Sequence, residues 1–458
     1  MEADVGGLTE AVADFVAGFD ARTLPPRCID AARVGIADCV GVMLAGCRDE
    51  TVGIVRSLAI DAAGADTAPE VPSGRPLSAA DAALINGVAG HVLDYDDVAL
   101  DGHTSVVLTP AILAEGWRLD VSGAEAIAAY VAGYEVWAAL LELEPGALHE
   151  KGFHPTAIWG PLAAAAACAR LNKLDAEKTR NAIAIAASLA GGLVANFGTM
   201  TKSLHAGRAA QAGVLAAHLA RGGFTAAPDV LEHRTGFMMA HSPSGKPDVG
   251  KQDLGLGKSW RLERHGVNVK RYPLCYATHR AIDGLLELVS THAVTPGDVK
   301  EVRVRIGDTQ ALILRNHAPK TGLEAKFSME FAMASALVAR QVGLKQLTDD
   351  FVRRPEIVEA MTRVTTTTTT ERMADLPFAP ADEVAVVLKS GKELEVEPIR
   401  YAKGSWQKPL SEQELEAKFL DCSSAGAIGA NQATALFASL MRLDALRSLR
   451  ELPLAAVH

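Results

Sequence analysis

The segment from 196 to 213, NFGTMTKSLHAGRAAQAG, sets three cations among glycines and alanines: Lys202, His205 and Arg208. Ser203 is a plausible N-cap residue of a helix. Within that helix His205, Arg208 and Gln211 follow one another at intervals of three residues, so they can share one helical face. Lys202 would then precede the first turn, where backbone N–H groups and the helix dipole favour an anion. The segment indicates a site for a carboxylate or a phosphate. A surface lysine beside a closely packed helix is the alternative.

Carboxylates crowd around a histidine in the segment from 91 to 105, HVLDYDDVALDGHTS. The group consists of Asp94, Asp96, Asp97, Asp101 and His103. Carboxylates next to an imidazole can orient the ring and set its tautomer, or they can bind a divalent metal. A solvated acidic helix end is the alternative interpretation, because acidic loops are common.

Two further segments carry histidines. KGFHPTAIWG, residues 151–160, places His154 before a proline at the start of a predicted helix, where it could also be a cap or a core residue. VKRYPLCYATHRAID, residues 269–283, carries four cationic groups: Lys270, Arg271, His279 and Arg280. Ligand sites favour domain junctions, so this second segment indicates a cleft, with a basic linker as the alternative.

The elements that must position these groups are helical from Leu8 to about Arg221, with short connections. Helix starts are marked by Pro25-Pro26 and by the capping-box spacings Ser78-x-x-Asp81 and Ser122-x-x-Glu125. No segment in this region alternates like a strand, and the helices differ too much for a repeat array. The pattern predicts one large helical domain.

The pattern changes after about Lys258. Apolar residues alternate with charged ones in EVRVRIGD (301–308), which predicts a half-buried strand. EVAVVLKSGKELEVEP (383–398) predicts a hairpin that turns at Ser390-Gly391. The six threonines 365–370 are typical of a β-branched strand.

Helices are predicted between these strands, at 278–292 and 324–340, so residues 265–402 are expected to form a smaller α+β domain. After Pro409 the helical pattern returns, with a capping box at Ser411-x-x-Glu414 and an apolar-periodic segment from Ala427 to Leu452. The predicted fold class is mainly α. Residues 1–264 and 403–458 are expected to form one all-helical domain, with the α+β domain inserted between them.

Composition restricts the partners. The chain of 458 residues has a formal net charge of −10, which argues against nucleic acid or an anionic membrane as a partner, since both need a basic surface. Six cysteines are scattered without a C-x-x-C pair, a pattern that fits reduced thiols. No zinc motif, signal-peptide pattern or long uncharged apolar run is found, so a soluble cytoplasmic protein is expected.

Six blocks in this order make the chain similar to the MmgE/PrpD family. They are HVLDYDD…GHTS, GYEV (133–136), GFHPT (152–156), TKSLHAGRAA (201–210), YPLCYATHRAID (272–283) and EAKFSMEF (324–331). The resemblance implies a large helical domain built from both chain ends, a smaller α+β lid and a homodimer. It also implies catalysis without a metal or another cofactor.

The resemblance further implies catalytic or substrate-contacting roles for Asp94, His103, His154, Lys202 and His279, which we expect to converge on one pocket between the domains. Substrate binding is expected from Lys270, Arg280, His205 and Arg208. The family's substrates are small di- or tricarboxylates, and its reactions pass through a carbanion-like centre next to a carboxylate. Such a centre needs cations to hold carboxylates and neutral bases to move a proton, and Lys202 could serve in either role.

The resemblance to the family leaves three reactions open. A hydro-lyase similar to 2-methylcitrate dehydratase is the leading expectation, and an epimerase of an iminodisuccinate-like dicarboxylate is the alternative. A carboxy-lyase similar to cis-aconitate decarboxylase is less favoured, because that subgroup has a threonine and a further His-Pro where this chain has Val98, Ala99 and Leu100. Remote alternatives are a magnesium-dependent prenyl-diphosphate enzyme, suggested by the aspartates at 96, 97 and 101, and a non-catalytic helical scaffold.

Overall fold

A computed structural model describes residues 7–64, 66–251, 253–373, 379–426 and 428–455. The predicted mainly helical class is confirmed. The chain divides into two compact units. We call Met1–Val267 with Ser411–His458 the helical unit, and Asn268–Leu410 the α+β unit.

Among its described residues, the helical unit contains helices, connecting loops and two very short strands, β1 (Ala68–Pro69) and β2 (Pro76–Leu77). Its first helices are α1 (Leu8–Gly18), α2 (Pro26–Gly46), α3 (Glu50–Leu58), α4 (Ala79–His91), α5 (Ser105–Leu119) and α6 (Gly123–Leu141). They are followed by α7 (Leu148–Lys151), α8 (Pro155–Leu171), α9 (Ala176–Ser188), α10 (Met200–Arg221), α11 (Phe237–His241) and α12 (Arg261–His265). After the α+β unit the chain adds α19 (Glu412–Ala425) and α20 (Ala430–Leu440).

Small residues bring α4, α8 and α10 unusually close together. A Cβ atom added to Gly87 of α4 would lie 2.7 Å from the Cα atom of Gly207 of α10. On the other side of α10, a Cβ atom on Gly213 would overlap Ala164 of α8. The alanines and glycines therefore let α10 pack between its two neighbours, and the ends of α4 and α10 lie where the site residues are found.

The helix starts that were predicted from capping residues are confirmed in three cases. Ser78 caps α4, and the capping boxes at Ser122 and Ser411 start α6 and α19 as predicted. The start of α10 was predicted wrongly, because Thr199, not Ser203, is the N-cap. The helix therefore begins four residues before the predicted start, and Lys202 lies inside its first turn.

The C-terminal segment is less regular than its sequence pattern suggested. It forms α20 and two 3-10 turns, Leu443–Ala445 and Leu449–Glu451, while Ala427 lies outside the described residues. Helix α19 packs on α2, where Phe419 fills the space left by Gly41. The segment after the α+β unit thus supplies part of the core of the helical unit.

The α+β unit is built on a four-stranded sheet in the order β4-β3-β5-β6. The strands are β3 (Val299–Gly307), β4 (Val364–Thr369), β5 (Glu383–Leu388) and β6 (Glu393–Glu395). The predicted strands and the hairpin at Gly391 are confirmed, and the threonine strand β4 runs parallel to β3 at the sheet edge.

The helices of this unit are α13 (His279–Thr291), α14 (Asp308–Ile313), α15 (Gly322–Ala325), α16 (Met329–Ala339), α17 (Asp349–Val352) and α18 (Pro355–Met361). Helices α13, α14 and α16 pack against the sheet. The helix predicted at 278–292 is confirmed as α13. The one predicted at 324–340 is two helices, because Ser328 interrupts the first and caps α16.

Among the described residues, α6 is long and apolar enough to cross a membrane by composition alone. Of its most apolar window, 83% is buried inside the unit, and the helix carries the buried residue Glu135. Both features are typical of a core helix in a globular protein.

The close contact at Gly207 gives a test of the fold. We expect Gly207→Ala to lower the free energy of unfolding by about 1–3 kcal/mol, because the added methyl group would overlap the carbonyl oxygen of Leu84. Gly53→Ala in α3 is the matched control, since a Cβ atom there meets nothing within 4 Å. Gly53→Ala should raise the free energy of unfolding by about 0.5–1 kcal/mol. Equal effects of the two variants in urea unfolding would contradict the packing described above.

Candidate active site

The site lies where α4 ends. The loop from 92 to 104, which we call the 92–104 loop, joins α4 to α5 and contains Asp94 in a left-handed conformation, with φ of 52°. The backbone N–H of Asp94 donates to the His91 carbonyl at 3.0 Å, and Trp137 Nε1 donates to the Leu100 carbonyl at 3.1 Å. The loop is thus held at both ends by contacts with helices.

Asp96 is fully buried and accepts hydrogen bonds from two imidazoles. Its carboxylate oxygens lie 3.0 and 3.1 Å from His91 Nδ1, and Oδ2 lies 2.8 Å from His103 Nδ1. Burial alone would raise the pKa of Asp96, but the two imidazoles hold this pKa well below its usual value. Asp96 is therefore the ionised group at the centre of the cluster.

These bonds set the tautomers of both rings. His103 Nδ1 also lies 3.2 Å from the Asp97 carbonyl oxygen, so both of its neighbours are acceptors and Nδ1 carries a hydrogen. The nitrogen of His103 that can take up or release a proton is therefore Nε2. Burial lowers the pKa of His91 to about 3, so this ring is neutral and acts only as a donor to Asp96.

Lys202 provides the positive charge. Its Nζ atom lies 2.6 Å from Asp94 Oδ1, and both side chains are buried. The same Asp94 oxygen lies 3.9 Å from His103 Nε2. Asp94 therefore lies between the ammonium group of Lys202 and Nε2 of His103. The first turn of α10 also favours the negative charge of Asp94.

A second pair of imidazoles lies next to the first. His154 is the N-cap residue of α8, and its Nδ1 atom lies 3.1 Å from Nδ1 of His205. One of these nitrogens must donate and the other accept, so the two rings have opposite tautomers. Burial, followed by the charge of Lys202, lowers the pKa of both rings, that of His154 well below its usual value. The pair is neutral.

The rings form one continuous group. The centroid of His91 lies 4.4 Å from that of His103 and 6.1 Å from that of His154. Phe197 packs edge-on against His154 at 4.9 Å and lies under Lys202. Because water is largely excluded here, each charge interacts strongly with its neighbours.

Asp97 has a different role from its neighbour Asp96. It is fully buried, and burial, reinforced by Asp38, raises its pKa well above the usual value. Burial thus favours the neutral form of the Asp97 carboxyl group. The pKa values of the two adjacent aspartates, which the sequence could not tell apart, shift in opposite directions because only the carboxylate of Asp96 bonds to imidazoles.

The structure brings together four of the five predicted catalytic residues, Asp94, His103, His154 and Lys202, with His205 beside them. Their catalytic roles stay predictions. Arg208 is exposed and bonds to Gln211, so it does not share the buried face of His205. Sequence reasoning missed His91, although it lies in the same block, five residues before Asp96.

The remaining predicted residues belong to the α+β unit. His279 Nε2 lies 3.2 Å from the Leu274 carbonyl oxygen, and its ring packs between Tyr272 and Tyr276. Lys270 is buried. Arg280 forms an ion pair with Asp382 at 2.6 Å and also bonds to Gln310 and to the Ala379 carbonyl. These partners hold Arg280 inside its own unit, and its contact with substrate stays a prediction.

Four of the side chains have the types and spacing of metal ligands. One donor atom from each of His91, Asp94, Asp96 and His103 lies within 4.8 Å of the others. However, Asp96 already accepts from two imidazoles, and Asp94 is paired with the ammonium group of Lys202. Both carboxylates are thus engaged within the protein, and catalysis without a metal stays a prediction.

Fold and site together define a class of protein: a mainly helical chain with an α+β unit inserted in its sequence and a buried centre of histidines, aspartates and one lysine. The chain belongs to the MmgE/PrpD family. Its residues 10–249 match the model of the MmgE/PrpD N-terminal domain, and residues 272–440 match that of the C-terminal domain.

Similar proteins with curated names are cis-aconitate decarboxylases. The human protein is 30% identical over 428 residues, which cover 90% of this chain and 87% of the relative. The mouse protein is 29% identical over 434 residues, covering 90% of this chain and 86% of the relative. The protein from Aspergillus terreus is 23% identical over 414 residues, covering 85% and 84%.

The Asp94–Lys202 pair gives a test that needs no substrate. We expect Asp94→Asn and Lys202→Met each to lower the free energy of unfolding by roughly 3–5 kcal/mol, because each leaves a buried charge without its partner. Asparagine tolerates the left-handed conformation at position 94, so backbone strain is not added. The free energy of unfolding of the double variant should fall by less than that of either single variant.

The exposed pair Lys258–Asp253, 2.7 Å apart, is the control. Lys258→Met should change the stability by less than about 1 kcal/mol. Denaturant unfolding of all four variants measures these differences. Additive losses at positions 94 and 202 would show that the two side chains do not form a buried ion pair.

Proposed function

We propose that the protein is a carboxy-lyase that removes CO2 from a small unsaturated tricarboxylate of the cis-aconitate type. Two observations support this proposal: the relatives named cis-aconitate decarboxylase match this chain over most of both lengths, and a buried cluster of aspartates, histidines and Lys202 lies in the matched region. The dehydration that the sequence analysis placed first receives less support, since these relatives are named for a decarboxylation.

Decarboxylation of such a substrate requires a proton donor. When an allylic carboxylate leaves as CO2, the electrons of the broken C–C bond form a new double bond. The electrons of the old double bond then move to its far carbon, which must receive a proton. The reaction therefore needs a positioned acid at that carbon and a cation that holds the other carboxylates.

His103 has the geometry of that acid, and this is the observation that carries the proposal. Its Nδ1 atom is bonded to Asp96 at 2.8 Å, while Nε2 lies 3.9 Å from Asp94. Carboxylates on two sides favour the imidazolium form of the ring. With His103 protonated, the charges of Asp94, Asp96, Lys202 and His103 sum to zero (−1 − 1 + 1 + 1), which suits a buried centre.

Lys202 is assigned the role of carboxylate anchor. Its ammonium group in the first turn of α10 is paired with Asp94, so it is held in place before any substrate binds. The neutral pair His154–His205 adds donors and acceptors without adding charge. In this arrangement Asp94 orients both the anchor and the acid, and the imidazole pair lies beside them.

Dehydration is the second candidate. The residues between Asp97 and His103 favour it, because Val98, Ala99 and Leu100 lack the hydroxyl and imidazole groups of the decarboxylase pattern. These residues lie next to His103 in the 92–104 loop, where a change of side chain can alter the orientation of the substrate. Epimerisation requires abstraction of a proton first, which a protonated His103 does not favour.

We expect the purified protein to release CO2 from cis-aconitate, and in deuterated water the product should carry one deuterium at the newly protonated carbon. Proton NMR with cis-aconitate, citrate, 2-methylcitrate and iminodisuccinate in parallel measures this. Loss of water from citrate or 2-methylcitrate would instead identify the protein as a hydro-lyase. Exchange at the α-carbon of iminodisuccinate would identify it as an epimerase. Chelation with EDTA should change neither turnover nor thermal stability.

His103→Asn tests the proton donor. The asparagine amide can still donate to Asp96 but cannot transfer a proton, so kcat should fall by roughly 10²–10⁴-fold with a small change in KM. His292→Asn, at an exposed position after α13, is the control and should leave kcat unchanged. Near-normal turnover of His103→Asn would remove His103 from the mechanism.

A further inference from the structure

A buried lysine lies behind the 92–104 loop, outside the group of residues described above. Lys418 belongs to α19, and its side chain is only 6% exposed. Its Nζ atom lies 2.5 Å from Asp38 Oδ1 of α2 and 2.9 Å from the Tyr95 carbonyl oxygen, to which it donates. The ammonium group also lies 4.0 Å from the centroid of the Tyr95 ring.

The bond to Tyr95 acts on the backbone between the two functional aspartates. Asp94 precedes Tyr95 and is paired with Lys202, and Asp96 follows it and is bonded to His103. The Tyr95 carbonyl belongs to the peptide unit that joins Tyr95 to Asp96. A donor fixed on that carbonyl therefore limits rotation of the backbone that carries both carboxylates.

This part of the loop needs such support. Asp94 has φ of 52°, which places it in the left-handed region that few non-glycine residues adopt. Its side chain must nevertheless meet Lys202 at 2.6 Å. Conformations of this kind persist only where surrounding contacts hold them.

We propose that Lys418 is a positioning residue, which holds the Tyr95–Asp96 peptide so that Asp94 and Asp96 keep Lys202 and His103 in their working geometry. The kinetic part of this proposal rests on the proposed function. Lys418 is 323 residues from Tyr95 in sequence, so the segment after the α+β unit takes part in forming the site. The competing role is neutralisation of Asp38 alone.

Two variants separate these roles. Lys418→Met removes the ammonium group but leaves Asp38 buried without its partner, so loss of stability could mask the effect. The double variant Asp38→Asn/Lys418→Met removes both charges, so no buried carboxylate is left without a partner. It does not restore the bond to the Tyr95 carbonyl. Asp38→Asn alone keeps that bond.

We expect the double variant to recover most of the melting temperature lost by Lys418→Met but to keep a kcat about 10–100-fold below that of the wild type, since small misplacements of catalytic groups have effects of this size. Asp38→Asn should retain kcat to within a few-fold, and Lys418→Arg should restore part of it. Lys178→Met, the same change at an exposed position of α9, should have no effect.

A second readout needs no turnover. In protein labelled with ¹⁵N at histidine, the side-chain resonances of His103, assigned by their loss in His103→Asn, report the bond from Nδ1 to Asp96. These resonances should shift in the double variant and stay in place in Asp38→Asn and Lys178→Met. If no carboxylate is turned over, the proposed function fails while this measurement still tests the position of His103.

The proposal is overturned if the double variant has wild-type kcat, or if its His103 resonances are those of the wild type. Either result would assign Lys418 to charge neutralisation of Asp38. A kcat deficit together with shifted His103 resonances, at recovered stability, would establish the positioning role.

Discussion

The site depends on one buried carboxylate, that of Asp96. An ionised group removed from water costs several kcal/mol unless hydrogen bonds and charges compensate for it. Here His91 and His103 supply the N–H donors. Because each ring must present Nδ1–H to Asp96, both tautomers are fixed, and the exchangeable proton of His103 is directed to Nε2. The orientation and the tautomer of both imidazoles thus follow from one bonding requirement.

Close helix packing creates the environment in which this requirement operates. Gly87 and Gly207 let α4 and α10 approach closely, so the C-terminal end of α4, which carries His91, lies beside the N-terminal turn of α10, which carries Lys202. Larger side chains would separate the helices and admit water. Desolvation is the largest influence on the pKa of His91, His154 and His205, so the alanine- and glycine-rich composition is a condition for the acid–base behaviour of the site.

The buried charges are arranged in two layers. The front layer consists of Asp94, Asp96, Lys202 and His103, which we propose for proton transfer and carboxylate binding. Behind it, burial favours the neutral form of Asp97, and Asp38 is paired with Lys418, which also donates to the loop at the Tyr95 carbonyl. Separation of a reactive layer from a supporting layer is the usual way to hold catalytic groups in place.

The sequence by itself determined the local elements. The caps at Ser78, Ser122 and Ser411, the alternation of β3 and the hairpin of β5 and β6 depend on neighbouring residues, and they were predicted correctly. Motif similarity also identified the family and the blocks that carry the site. Tertiary structure alone decided how these blocks are used. The charge states of Asp96 and Asp97, the role of His91, the exposure of Arg208 and the contact of Lys418 with Tyr95 depend on groups distant in sequence or on burial. Periodicity specifies which face of a helix a residue occupies, but not which neighbour excludes water from it.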